Sequence, residues 1–171
     1  MKLVMVTVLS LLVVAVALSG EKQEKCQSTP AFNKIKSLAG TWKGKDEKGK
    51  SFTVSYTVVS EGSAVMEEMN MSDSKDAMIT MYHDNGTSMM LTHYCSMGNQ
   101  PRMQSHGLSK DGKTLKFSFV DVTNLSAPDG DCMTGLVVTF KDPEHFSQQW
   151  TMRMGGKIQP HETFEYERVK Q

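Results

Sequence analysis

Phe52-Thr53-Val54-Ser55-Tyr56-Thr57-Val58 alternates apolar and hydroxyl side chains with a period of two. Successive side chains of an extended backbone point to opposite faces, so this pattern makes a strand with one face apolar and the other wet. Working outward, strand-like runs cover residues 41–46, 63–72, 77–84, 87–95, 102–109, 113–122, 133–141, 145–154 and 161–169. Together with the first they amount to about ten strands. Turn chemistry separates them: Lys48-Gly49, Glu61-Gly62, Asn85-Gly86, Asp111-Gly112, Asp142-Pro143 and Gly155-Gly156. Gaps this short join antiparallel neighbours, because parallel pairing needs a crossover of a dozen or more residues. Only residues 123–131 form a long loop. An all-β meander of this size leaves exposed edges unless it closes on itself, so the expected architecture is a single antiparallel β-barrel. A two-sheet sandwich is the alternative.

The segments before the strands have a different character. Thr29-Pro30 reads as an N-cap followed by proline in the first helical turn, and Phe32, Ile35 and Leu38 recur at helical spacing until Gly40. A helix this short needs a surface to lean on, so its apolar edge is expected to close one end of the domain. Further upstream, Lys2 precedes an apolar run from Leu3 to Leu18 broken only by Thr7 and Ser10, and Ser19-Gly20 and a charged stretch follow. This is the layout of a secretory signal peptide. A retained membrane anchor is the other reading of the same run. Ala17-Leu18-Ser19-Gly20 resembles the start of a lipoprotein signal, but Glu21 stands where the acylated cysteine would be, so no lipid anchor is expected. The chain then divides into a leader at 1–20, a polar arm and capping helix at 21–40, and a barrel at 41–171. The mature protein is expected to be secreted or periplasmic.

The whole chain carries 19 basic and 19 acidic residues, and removing Lys2 with the leader leaves 18 against 19. Such a balance argues against nucleic acid or an anionic membrane as the main partner, because both are held by a basic surplus. Cys26, Cys95 and Cys132 fit neither a CxxC redox motif nor a zinc finger. In an exported chain one pair can form a disulfide, and the odd count leaves a third thiol over.

Leu38-Ala39-Gly40-Thr41-Trp42-Lys43-Gly44 sets a G-x-W after a short helix and at the start of the first strand. This resembles the opening of calycin barrels, the group of lipocalins, fatty-acid-binding proteins and nitrobindin-like haem proteins. Phe164-Glu165-Tyr166-Glu167-Arg168-Val169 is similar to a calycin last strand. The resemblance implies a structural contact in which Arg168 lies on the ring of Trp42. Residues 91–103, running from Leu91-Thr92-His93-Tyr94-Cys95 through Gly98-Asn99-Gln100-Pro101-Arg102-Met103, resemble a stretch of uncharacterised secreted bacterial proteins of this barrel type.

Asn85-Gly86 suits a two-residue type I′ hairpin turn. That turn would pair Asp84 with Thr87, Tyr82 with Met89, Thr80 with Leu91 and Met78 with His93. Opposed residues share a face, so Met78, Thr80, Tyr82, Met89, Leu91 and His93 are expected on one side, suited to a mixed polar and apolar ligand. Cys95 joins them if the strand runs on to it; read as turning to the opposite face, it forms no catalytic dyad with His93. Asn99, Gln100 and Arg102 follow, an amide pair beside a guanidinium that can orient a carboxylate or carbonyl. The same residues also read as turn chemistry beside a surface arginine.

Fourteen methionines are present, with Met66, Met69, Met71, Met78 and Met81 close in sequence. Thioethers line pliable pockets, and they also bind Cu(I). The resemblance to nitrobindin-like barrels raises haem, with His161 as the candidate ligand. Glu67 and Glu68 are adjacent in a strand and face opposite ways, so they cannot act together on one substrate. Asp129-Gly130-Asp131 offers too few oxygens for a calcium loop, and no hydrolase, zinc-protease or phosphate-loop motif is found. The reading is a small-molecule-binding barrel with no required cofactor, its ligand apolar or amphipathic and held by Met78, Tyr82, Met89, His93, Cys95, Asn99, Gln100 and Arg102. An enzyme using the His93 to Arg102 region, and a haem or copper barrel, are the alternatives.

Overall fold

The computed structural model describes residues 27–72 and 74–170. The expected leader at 1–20, Glu21 and Cys26 lie outside the described residues. One helix, α1 (Pro30–Lys36), precedes ten strands: β1 (Gly40–Lys45), β2 (Ser51–Val59), β3 (Ala64–Asn70), β4 (Met78–Asn85), β5 (Ser88–Tyr94), β6 (Gln100–Ser105), β7 (Thr114–Thr123), β8 (Cys132–Asp142), β9 (His145–Met154) and β10 (Lys157–Arg168). Each strand pairs antiparallel with its neighbours in sequence, and β10 returns to β1, closing the barrel. Closure excludes the two-sheet sandwich. It also leaves no strand edge unpaired around the ring, which is the physical advantage expected of it.

Alternation in sequence becomes alternation in burial. In β2, Phe52, Val54 and Tyr56 are buried while Ser51 and Thr53 are exposed. In β8, Leu136, Val138 and Phe140 are buried, and the residues between them are only half so. The lumen is therefore filled mostly by side chains.

Helix α1 plugs one end. The hydroxyl of Thr29 accepts the Phe32 N–H at 3.1 Å, satisfying one of the free donors of the first turn. The same residue ties the helix to the barrel: its N–H and hydroxyl donate to the Asp84 carboxylate at 2.9 and 2.6 Å. Ala31, Phe32 and Ile35 face inward and are buried. Beneath them Trp42 donates from Nε1 to the Leu38 carbonyl at 2.7 Å and meets Phe146 edge to face at 4.7 Å. The Arg168 guanidinium stands 4.1 Å from the centre of the Trp42 ring and donates to the carbonyls of Ala39 and Ser37, each at 3.0 Å. Gly44 completes this segment. A Cβ there would come within 2.4 Å of the Phe52 ring, so only glycine fits between β1 and that side chain.

Two details differ from the sequence reading. In the β4–β5 hairpin Asn85 pairs with Ser88, Tyr82 with Leu91 and Thr80 with His93. The loop is Gly86-Thr87, not Asn85-Gly86; Gly86 has φ +62° and Asn85 is not among the positive-φ residues. A positive φ at the first loop position alone matches a type II′ turn, whereas type I′ requires it at both. The pairing partners move by two residues, an even step, so the faces stay as expected. The last strand starts at Lys157, before the expected His161, because an irregularity between Pro160 and Thr163 lets β10 accommodate its proline.

Candidate functional site

The end opposite α1 is open. There the ends of β3, β5 and β9 and the starts of β4, β8 and β10 surround a cavity of about 280 Å³. Its size lies just below the roughly 300–1,000 Å³ common for small-molecule sites. Met69, Met78, Met133 and Met152 form its walls, with Trp150 and Phe164. Met71, Met97 and Met154 stand near the mouth together with Cys95, Ser96, His161 and Glu162. Pairing across strands explains the concentration of sulfur: Met69 is the partner of Met78 across β3–β4, and Met133 the partner of Met152 across β8–β9.

His93 supplies imidazole to this lining. Its ring is 4% exposed and tilted against Trp150, with the ring centres 4.9 Å apart. Thr80, its partner across β4–β5, meets Nδ1 at 2.9 Å. Nδ1 is thus engaged, and Nε2 is the nitrogen available to a ligand. Burial lowers the His93 pKa to about 4, since the charged ring would lose its hydration. At neutral pH the cavity therefore holds a neutral imidazole.

Below Trp150 lies a buried polar layer. Glu67 is 1% exposed and its carboxyl accepts from the Tyr82 hydroxyl at 2.6 Å and from Gln148 Nε2 at 3.0 Å. Gln148 also donates to the Tyr56 hydroxyl at 3.0 Å, while its Oε1 accepts from the Tyr166 hydroxyl at 2.9 Å and from Trp150 Nε1 at 3.4 Å. Burial raises the Glu67 pKa, opposed by the hydrogen bonds of Tyr82, Gln148 and Tyr56. The tyrosines Tyr56, Tyr82 and Tyr166 are all pushed well above their ordinary value, first by burial and then by the Glu67 charge. Burial thus pushes Glu67 toward its neutral form, and the hydrogen bonds that its carboxyl accepts push it back.

The eight residues singled out from sequence separate into three places. Met78, His93 and Cys95 line the cavity. The expectation that Cys95 turns away from His93 is corrected: Cys95 lies just beyond β5, in a turn where its N–H donates to the Asn99 carbonyl at 3.1 Å, and both residues face the same cavity. Tyr82 and Met89 are deeper in the core, Tyr82 in the polar layer. Asn99, Gln100 and Arg102 do not reach the cavity lining. Asn99 is buried and donates from Nδ2 to the Asp131 carbonyl at 2.9 Å. Its Oδ1 is the one buried side-chain oxygen or nitrogen without a hydrogen bond among the described residues. Gln100 Nε2 donates to the Gly98 carbonyl at 3.0 Å, and Asn124 Nδ2 donates to that carbonyl at 2.6 Å. The amides thus fasten the turn after β5 to the long loop before β8. Arg102 lies outside, in a two-pronged ion pair with Asp121.

Met133, Trp150, Met152 and Phe164 of the wall and Gln148 of the polar layer carry no site expectation in the sequence, and Glu67 enters there only as a neighbour of Glu68. The alternation along β9, with Gln148, Trp150 and Met152 all buried, carried the signal for three of them. His161 is exposed at the mouth, and an exposed histidine beside a cavity of this size does not fit a porphyrin held in the lumen. Cys132 is buried at the start of β8; its thiol pKa is raised by burial, against the lowering effect of Arg153, and Arg153 Nη2 stands 3.5 Å from its sulfur. No family model matches the chain, and no curated protein matches it.

Proposed function

We propose that this is an exported calycin-like barrel that binds a small apolar or amphipathic molecule at its open end, without catalysing a reaction. The observation that carries the proposal is the contrast inside one lumen: side chains fill the helix end, while the other end keeps a cavity walled by thioethers and aromatic rings. Thioethers adapt to ligands of varied shape, and His93 with Glu162 near the mouth offers polar partners for a headgroup. The G-x-W opening and the closed ten-strand meander support the calycin relationship. The signal-like leader in the sequence supports export.

Enzyme chemistry has less support. Among the described residues His93 has one hydrogen-bond partner, Thr80, and no acid there orients it as a base.

Trp150 forms part of the cavity wall and Trp42 lies at the opposite end, so the Trp42→Phe variant carries a single reporter at the site. Titration with medium-chain fatty acids and with 1-anilinonaphthalene-8-sulfonate is expected to change Trp150 fluorescence saturably. Native mass spectrometry of protein from its own source is expected to show a co-purified organic mass. Absence of both results overturns the proposal.

A further inference from the structure

We infer that the same cavity is a binding site for a soft monovalent cation, Cu(I), held by methionine thioethers and the Nε2 of His93. The inference goes beyond an apolar ligand and stands or falls separately from it, because it concerns the donor atoms of the wall and not its apolar area.

The placement of donors is the argument. On one wall Met69 and Met78 are direct partners across β3–β4. Met78 is two residues before Thr80, whose partner is His93, so thioether and imidazole are diagonal neighbours on one face, roughly 7–8 Å apart at their backbones. On the other wall Met133 and Met152 are partners across β8–β9, and Met152 is two residues after Trp150. The contact between His93 and Trp150 at 4.9 Å draws the two walls together. Thioethers from both walls and one imidazole thus line a single cavity.

The chemistry of this donor set selects the ion. Thioethers are soft, uncharged ligands, suited to Cu(I) and poorly suited to hard divalent ions that prefer carboxylate oxygens. Among the described residues no three His, Cys, Asp or Glu side chains gather to hold a metal, so a cation bound here relies on sulfur. Metal-ligating histidines as a rule engage their second ring nitrogen in a hydrogen bond that fixes orientation. Thr80 provides that contact at Nδ1, and in the tautomer where Nδ1–H donates to the Thr80 hydroxyl the Nε2 lone pair faces the ion.

The test uses the full chain, reduced, with methionine methyl groups labelled with carbon-13, and Ag(I) as a redox-inert probe for Cu(I). One equivalent of Ag(I) is expected to shift the methyl signals of Met69, Met78 and Met152 and the His93 ring signals. Unmoved signals, or shifts confined to Met66, Met81 and Met90 on the outer face, overturn the inference. In a second measurement, a parent chain carrying Cys26→Ser, Cys95→Ser and Cys132→Ser, so that no thiol competes, is expected to hold one Cu(I) against bicinchoninate. The Met69→Leu/Met78→Leu variant keeps an apolar wall of similar volume and is expected to hold Cu(I) about tenfold or more weakly, while its circular dichroism and urea midpoint stay near those of the parent chain. Equal Cu(I) retention by the variant sinks the metal site. Dye binding without Ag(I) or Cu(I) binding leaves the apolar-ligand proposal standing alone, and metal binding without dye binding does the reverse.

Discussion

The two ends of this barrel share strands but not chemistry. At the helix end Phe32, Ile35, Trp42 and Phe146 are packed ring against ring and ring against aliphatic chain, with almost no exposure. At the other end Met69, Met78, Met152 and His93 surround a cavity. Rigid side chains with few rotamers hold one end in a single arrangement; flexible thioethers leave the other able to adapt. A closed sheet allows this division because hydrogen bonding around the ring keeps the open end from collapsing when its lumen is unfilled.

Truncation is the strongest way to break the comparison. Trp42→Ala removes the ring that Arg168 covers and that Phe146 meets edge on, and is expected to destabilise by about 3–5 kcal/mol. Met78→Ala enlarges a cavity that already exists, so its cost in urea unfolding is expected to be less than half as large. Similar costs for both would mean that the ends are packed alike.

Acid sharpens the comparison from the other side. Between an unfolded pKa of about 6.5 and a folded value of about 4, the unfolded chain binds a proton at His93 that the folded chain refuses. Stability contributed by neutral His93 is therefore present above pH 6.5 and lost as pH falls toward 4, by about 3 kcal/mol in all. Chemical denaturation across this range should show a steeper acid loss for wild type than for His93→Leu. Identical slopes would place His93 in water and not in the wall. Glu67 contributes with the opposite sign: its raised pKa costs stability as pH rises above the unfolded carboxyl value, and this term cancels when the two proteins are compared.

The smallest effect belongs to Arg102→Ala. The Arg102–Asp121 pair is exposed, and exposed pairs contribute little. Neither thermal unfolding nor dye binding at the open end is expected to change; weaker dye binding would return Arg102 to the site.

These outcomes follow lines that were only partly legible in the chain. Strand number, the antiparallel order and the faces of β4 and β5 could be read because alternation and turn residues are local signals. The hairpin register could not, since Asn85-Gly86 and Gly86-Thr87 are both acceptable loops, and the one-position step between them moves every pairing partner by two residues. Glu67 and Gln148 were illegible for a deeper reason. A polar residue at an inward position looks like a break in the pattern until its partners, up to 92 residues away in sequence for Gln148, are seen beside it. Arg102 was grouped with His93 by closeness along the chain. Its pairing with Thr92, whose neighbour His93 faces in, puts it on the outer face.

The closure of β10 on β1 has a mechanical consequence. Gly40 begins β1 and Arg168 ends β10 at the same end of two adjacent antiparallel strands, with Trp42 paired to Arg168. Pulling on the two ends of the folded domain therefore loads these hydrogen bonds one after another, like a zipper, and not all together in shear. The first resistance comes from the Arg168 guanidinium, clamped between the Trp42 ring and the carbonyls of Ser37 and Ala39.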